Sequence, residues 1–159
     1  KPDFILADEP VSMVDASSRA EILHLMQNLQ KTYGITFLYI THDIATARHF
    51  SNRIAVMYAG RIVEIGSADE IVEEPLHPYT IALIKAIPAP DPDNRLRQRS
   101  VIAGEPPSPT EPPSGCHFHP RCPLIIENTC KHMDPPLIEV KPGHYVACHL
   151  WPSSVNAIS

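Results

Sequence analysis

Proline is spread so unevenly along these 159 residues that the chain does not read as one uniform fold: four of its 18 prolines lie in residues 1–87 and fourteen in residues 88–159. Proline fixes φ and removes a backbone donor, so only the proline-poor stretch is free to build long helices and sheet ladders. The shift marks a boundary near residue 88.

Before that boundary, short apolar runs alternate with longer helical patterns, the mark of an α/β layer on a mostly parallel sheet. Phe4 to Ala7 is a continuous apolar run, as expected of a strand buried on both faces, and it stops at Asp8-Glu9-Pro10. Ile22, Met26, Leu29 and Tyr33 recur at helical spacing, in a helix that starts near Asp15 or Ser18 and ends at Gly34. Ile35 to Ile40 reads as the next strand, and Thr41-His42-Asp43 opens a short helix. Arg53 to Tyr58 and Arg61 to Ile65 flank Ala59-Gly60, a tight-turn hairpin signal. Ser67 and Glu70 form a capping box for a helix that ends before Pro75. Pro78 suits the first turn of another helix, running to about Ile87.

Residues 88–114 carry eight prolines and little periodicity, so they are expected to form an extended, semi-rigid connector. Residues 115–150 hold all four cysteines and are expected to form a separate small module, with 151–159 as a tail. A unit this short does not fold readily on hydrophobic burial alone, so a crosslink or a metal is expected in it. The first residue is Lys1 and a strand follows almost at once, which reads as the C-terminal piece of a longer chain.

Charge narrows the partners. With 13 basic and 18 acidic residues the formal charge is 13 − 18 = −5, which argues against nucleic acid and against a polybasic membrane contact. No apolar run approaches the roughly 18 to 20 residues of a membrane span.

The first apolar strand delivers two adjacent carboxylates, Asp8 and Glu9, at its C-terminal end, where ligands bind in open α/β sheets. Phosphoryl chemistry needs one carboxylate to hold Mg²⁺ and another to orient the attacking water; Asp8 suits the first role and Glu9 the second. Taken alone, the pair equally describes a strand that ends in a polar loop. The longer run Asp8-Glu9-Pro10-Val11-Ser12-Met13-Val14-Asp15 resembles the Walker B segment and D-loop of ABC-type ATPases, and Thr41-His42-Asp43 resembles their switch-histidine loop. Pro10-Val11-Ser12, Val56 to Glu64, and His77-Pro78-Tyr79-Thr80 leading to Ile87-Pro88 resemble more narrowly the ATP-binding subunits of oligopeptide/dipeptide importers.

That resemblance implies the C-terminal part of an ABC-type P-loop ATPase domain over residues 1–87, binding ATP and Mg²⁺. It implies that His42 contacts the γ-phosphate and that Ser12 and Asp15 lie at the interface between two ATPase subunits; Asp15 reads equally well as a helix N-cap. The chain holds neither a Gly-x-x-x-x-Gly-Lys-Ser/Thr loop nor a Leu-Ser-Gly-Gly-Gln signature. Without the phosphate-cradling loop, this chain is not expected to hydrolyse ATP alone.

Cys116, Cys122, Cys130 and Cys148 are separated by five, seven and seventeen residues, which is wider than the pairs typical of structural zinc. Zn²⁺ held with one of His117, His119, His144 or His149 stays open, and so does an iron-sulfur cluster, for which Cys122-Pro123 is suggestive. Disulfides are disfavoured in the reducing compartment where cellular ATP is spent. The segment from Pro112 to Pro123, with Cys130 and His144 to Cys148, resembles the C-terminal extension of the same importer subunits, some of which carry a 4Fe-4S cluster there. The resemblance further implies a second ATP-binding subunit, identical or not, transmembrane permease subunits, an extracytoplasmic peptide-binding protein, and a peripheral place on the cytoplasmic face of the plasma membrane. A different class of reading makes the chain a metal-binding interaction module with a non-catalytic ATPase remnant; a soluble ABC protein of repair or translation fits the His77-Pro78-Tyr79-Thr80 segment and the cysteines less well.

Overall fold

A computed structural model describes residues 1–87, 102, 104–108 and 110–151. Most of the 88–114 connector and the 152–159 part of the tail lie outside these residues. The chain forms two compact units, Lys1–Asn52 and Arg53–Ser159, which divide inside the stretch read as the ATPase part.

In the first unit, β1 (Phe4–Asp8) and β2 (Thr36–Ile40) pair in parallel, in register from Phe4 opposite Thr36 to Asp8 opposite Ile40. They are joined by α1 (Ala16–Tyr33), the crossover that a parallel pair requires. The Asp15 carboxylate accepts from the Ser17 and Ser18 N–H groups and starts α1; Gly34, in the left-handed region at φ 65°, ends it and donates to the Gln30 carbonyl. After β2, Asp43 caps α2 (Ile44–Phe50) by accepting from the Thr46 N–H and hydroxyl. Among the described residues, Val11, Leu23, Ile35, Ile44 and Ala47 are the buried apolar residues of this unit.

One expectation fails here. β1 is not buried on both faces: it alternates, with Phe4 and Leu6 more than half exposed, and Leu38 and Ile40 of β2 are also exposed. A continuous apolar run is buried only if both sides of the sheet are covered, and in this unit no described element covers the second face. Being about half exposed, each such side chain forgoes roughly 1 kcal/mol of burial.

The second unit is built on an antiparallel sheet in the order β3-β4-β6-β5, so parallel pairing is confined to β1 and β2 among the described residues. β3 (Arg53–Tyr58) and β4 (Arg61–Ser67) form the hairpin. Ala59 and Gly60 both have positive φ, 45° and 78°, as the favoured two-residue turn demands. The capping box at Ser67 and Glu70 starts α3 (Ala68–Glu73), and Pro78 opens α4 (Pro78–Ala86) with the His77 ring nitrogen accepting from the Tyr79 N–H.

The cysteine-bearing segment completes this sheet. α5 (Glu127–Cys130) is followed by β5 (Ile138–Lys141) and β6 (His144–Val146), and β6 lies between β5 and β4, with Val146 opposite Glu64. Phe118 is 1% exposed, within 5.1 Å of the Tyr58 ring centroid and 5.5 Å of that of Tyr79. Val146 and Ile71 are likewise fully buried. Hydrophobic contact and sheet pairing therefore hold this short segment in place, a support that local sequence did not reveal.

At the junction sits a buried ion-pairing group: Glu64, wholly inaccessible, accepts from His144 Nε2 at 2.8 Å, from the Leu76 N–H at 2.7 Å and from the His77 N–H at 3.0 Å. Gly66 makes room for the imidazole, since a Cβ there would come within 3.2 Å of His144 Cδ2. No helix among the described residues is long and apolar enough to cross a membrane.

Candidate functional site

The strand ends of the first unit bring Glu9 and His42 together. Parallel pairing sets the carboxyl ends of β1 and β2 side by side, and Glu9 Oε1 lies 2.7 Å from His42 Nδ1 and 3.2 Å from the His42 amide nitrogen. The Glu9 backbone is in the left-handed region at φ 45°, a conformation that costs a non-glycine residue about 1 kcal/mol or more and collects at functional sites. Ser12 follows in a tight turn, its N–H and hydroxyl both donating to the Glu9 carbonyl.

These residues line a cleft of about 260 Å³ together with Val11, Arg19, Tyr39, Thr41 and Asp43. A carboxylate only accepts hydrogen bonds, so the contact with Glu9 places a proton on His42 Nδ1 and turns Nε2 toward other partners. A carboxylate able to take a proton from water and a histidine able to contact an oxyanion are the two groups that attack on a phosphate requires.

Asp8 stands apart. Adjacent strand residues face opposite sides, and Asp8 shares the exposed face with Phe4 and Leu6 while Glu9 turns into the cleft. Asp15 also lies outside the cleft: it serves as the α1 cap, and the Ser17 hydroxyl, followed by bonds from Ser18, holds its carboxyl well below the usual carboxylate range. Ser12 is in the cleft, so of the candidates Glu9, Ser12 and His42 are gathered and Asp8 and Asp15 are not.

Val11, Arg19, Tyr39, Thr41 and Asp43 are the lining residues that motif reading did not assign roles. Burial opposes ionisation of Asp43, but bonds from Thr46 and Ala45 and the nearby Arg19 guanidinium outweigh it and hold its carboxyl below the ordinary value.

The four cysteines are free thiols in the second unit. Burial, foremost, pushes Cys116, Cys122 and Cys148 up, Cys148 to about 11, and the neighbouring thiols add to each shift, so the four lie within electrostatic reach of one another. Two of their segments touch: the Cys116 N–H donates to the Cys130 carbonyl at 2.9 Å, and Gly115 at φ 64° approaches the end of α5 so closely that a Cβ would fall 2.5 Å from that oxygen.

Among the described residues, however, no three His, Cys, Asp or Glu side chains are grouped closely enough to hold a metal ion. Each histidine considered as a zinc partner also has another contact: His117 with the Ala59 carbonyl, His119 with that of Cys116, His149 with that of Met133, and His144 with Glu64. As arranged, the donor set does not fit a bound metal.

The parallel strand pair and its crossover helix form a βαβ unit that carries a carboxylate and a histidine at its strand ends. Comparison with known proteins shows what this chain is similar to. Residues 63–130 match the oligopeptide/dipeptide transporter C-terminal region family. The chain is 49% identical, over 93% of its length, to a Brucella ovis protein named provisionally as a peptide import ATP-binding protein. It is 44% identical, over 94% of its length, to the oligopeptide transport ATP-binding protein of Bacillus subtilis, and 50% identical over 94% to a Sinorhizobium fredii protein provisionally named a peptide ABC transporter ATP-binding protein. The resemblance read from the motifs therefore extends over nearly the whole chain, which is similar to the C-terminal part of a peptide ABC importer ATP-binding subunit. The chain spans less than half the length of these relatives, 46%, 46% and 42% in turn.

Proposed function

We propose that this chain supplies the hydrolytic carboxylate, the switch histidine and the C-terminal region of an ATP-hydrolysing subunit that powers peptide import. The observation that carries the reading is the Glu9–His42 contact of 2.7 Å at the carboxyl ends of adjacent parallel strands. Glu9 orients and deprotonates the attacking water; His42, fixed through Nδ1, presents Nε2 to the terminal phosphate.

Asp8 is the residue for Mg²⁺. A single exposed carboxylate suits that ion, which keeps most of its ligands as water and phosphate oxygens. When bound, Mg²⁺ neutralises the phosphate charge. Ser12 and Asp15 face a second ATP-binding subunit, and hydrolysis requires a phosphate-cradling loop that this sequence does not contain. Transmembrane permease subunits and an extracytoplasmic peptide-binding protein complete the machine, with this subunit peripheral on the cytoplasmic side. The names of the relatives support peptides as cargo.

For Cys116, Cys122, Cys130 and Cys148 the reading is a 4Fe-4S cluster, with Zn²⁺ as the alternative. Its support is that the four cysteines are free thiols, with Cys148 near the other three; a cluster holds its thiolates further apart than a single ion does. About four irons and four sulfides per anaerobically purified chain sustain it, stoichiometric zinc selects the alternative, and neither metal removes both.

The importer reading is tested in the source organism by deleting the gene and following uptake of labelled di- and oligopeptides. Loss of uptake, restored by the wild-type gene, supports it; unchanged uptake contradicts it.

A further inference from the structure

Arg19 lies on α1, four residues beyond the Asp8–Asp15 motif and outside both motifs, yet it lines the same cleft as Glu9, Ser12 and His42. Its guanidinium reaches two ways. Nη2 is 3.5 Å from the Val14 carbonyl, in the loop that follows Glu9, and Nη1 is 3.7 Å from the carboxylate of Asp43, the residue after His42. Nε is buried with no hydrogen-bond partner.

The side chain as a whole is 37% exposed and keeps part of its hydration, but leaving Nε unpaired has a cost that the two contacts offset. The planar fork of an arginine is suited to hold two acceptors in fixed relation, which a lysine ammonium does poorly. Asp43 is itself rigidly placed, because it caps α2 through the Thr46 N–H and hydroxyl. The 9–15 loop and the His42 loop, 33 residues apart at their Glu9–His42 contact, therefore have a second connection.

We infer that Arg19 is a positioning residue that couples the loop of residues 9–15 to the histidine loop through Asp43, so that movement of one loop is transmitted to His42. Its importance for hydrolysis rests on the proposed roles of Glu9 and His42; the coupling itself does not. Each loop has an amide that reports on it: the Val14 N–H donates to the Val11 carbonyl, and the His42 N–H to Glu9 Oε1.

The test is amide hydrogen exchange by NMR on this chain without nucleotide, in wild type, Arg19→Met and Arg19→Lys. Arg19→Met retains the apolar stem and removes the fork, and exchange at Val14 and His42 is expected to rise together by about threefold, while Val56 and Val63 in the other unit stay unchanged. Arg19→Lys is expected to recover part of the protection at both amides. Wild-type exchange at both amides in Arg19→Met, or a response at Val14 alone, overturns the coupling. Because no nucleotide is present, failure here is distinct from failure of the ATPase reading, which is judged by hydrolysis.

Discussion

Glu9 Oε1 lies 2.7 Å from His42 Nδ1, and the same oxygen lies 3.2 Å from the His42 amide nitrogen. One carboxylate thus fixes both the backbone and the ring of the histidine. At pH 8.5, where an ordinary imidazole is neutral, the proton should reside on Nδ1 and leave Nε2 as the acceptor. Nitrogen chemical shifts of a ¹⁵N-histidine sample check this. In Glu9→Ala the tautomer preference is expected to revert toward Nε2–H, whereas Glu9→Gln, which retains an acceptor, keeps it on Nδ1.

The Glu64–His144 pair is expected to carry much of the attachment of the cysteine segment to the sheet. Glu64→Ala leaves His144 and the Leu76 and His77 N–H groups without their buried acceptor, at a cost of about 3 kcal/mol or more in urea unfolding. Chelation of any bound metal should lower the wild-type unfolding midpoint by less than Glu64→Ala does. A collapse on chelation, with Glu64→Ala nearly neutral, would show that metal ligation holds the segment instead.

His77 makes stability depend on pH. It is 1% exposed, and burial lowers its pKa from 6.5 to about 4. The unfolded chain binds the proton more readily than the folded one. The contribution is therefore complete above about pH 6.5 and is lost as pH falls toward 4, amounting to roughly 3 kcal/mol. His77→Asn retains a side-chain acceptor for the Tyr79 N–H but does not titrate, so its stability between pH 7 and pH 4 should fall by roughly that much less than wild type.

Gly115 is required by contact as well as by conformation. An alanine there brings its Cβ within 2.5 Å of the Cys130 carbonyl oxygen at φ 64°, whereas Gly143, at φ 78°, has open space around it. Gly115→Ala should cost at least about 2 kcal/mol and Gly143→Ala about 1 kcal/mol, measured by thermal unfolding. Equal costs would mean that the two touching segments separate freely.

Much of the fold was legible because its signals are local. Asp15 and Gly34 bound α1, Ser67 and Glu70 start α3, Ala59-Gly60 turns the hairpin and Pro78 opens α4, each by chemistry contained within a few residues. β5 and β6 were not legible: they are four and three residues long, and Glu64 meets His144 across 80 residues, which no local pattern encodes. In the site, the motif resemblance singled out Glu9 and His42, and their side chains lie 2.7 Å apart at the ends of β1 and β2. Arg19 gave no such signal, because its spacing on α1 resembles that of any exposed helical arginine and only the folded loop reveals Val14 and Asp43 beside it.

The most direct test of the hydrolytic role of Glu9 is the rate of Mg-ATP hydrolysis by a form of this protein that spans the full length of its relatives, compared with its Glu9→Gln variant. The account predicts turnover in wild type and a loss of at least about a hundredfold in the variant, with ATP still bound. A Glu9→Gln variant that hydrolyses ATP at the wild-type rate would contradict it.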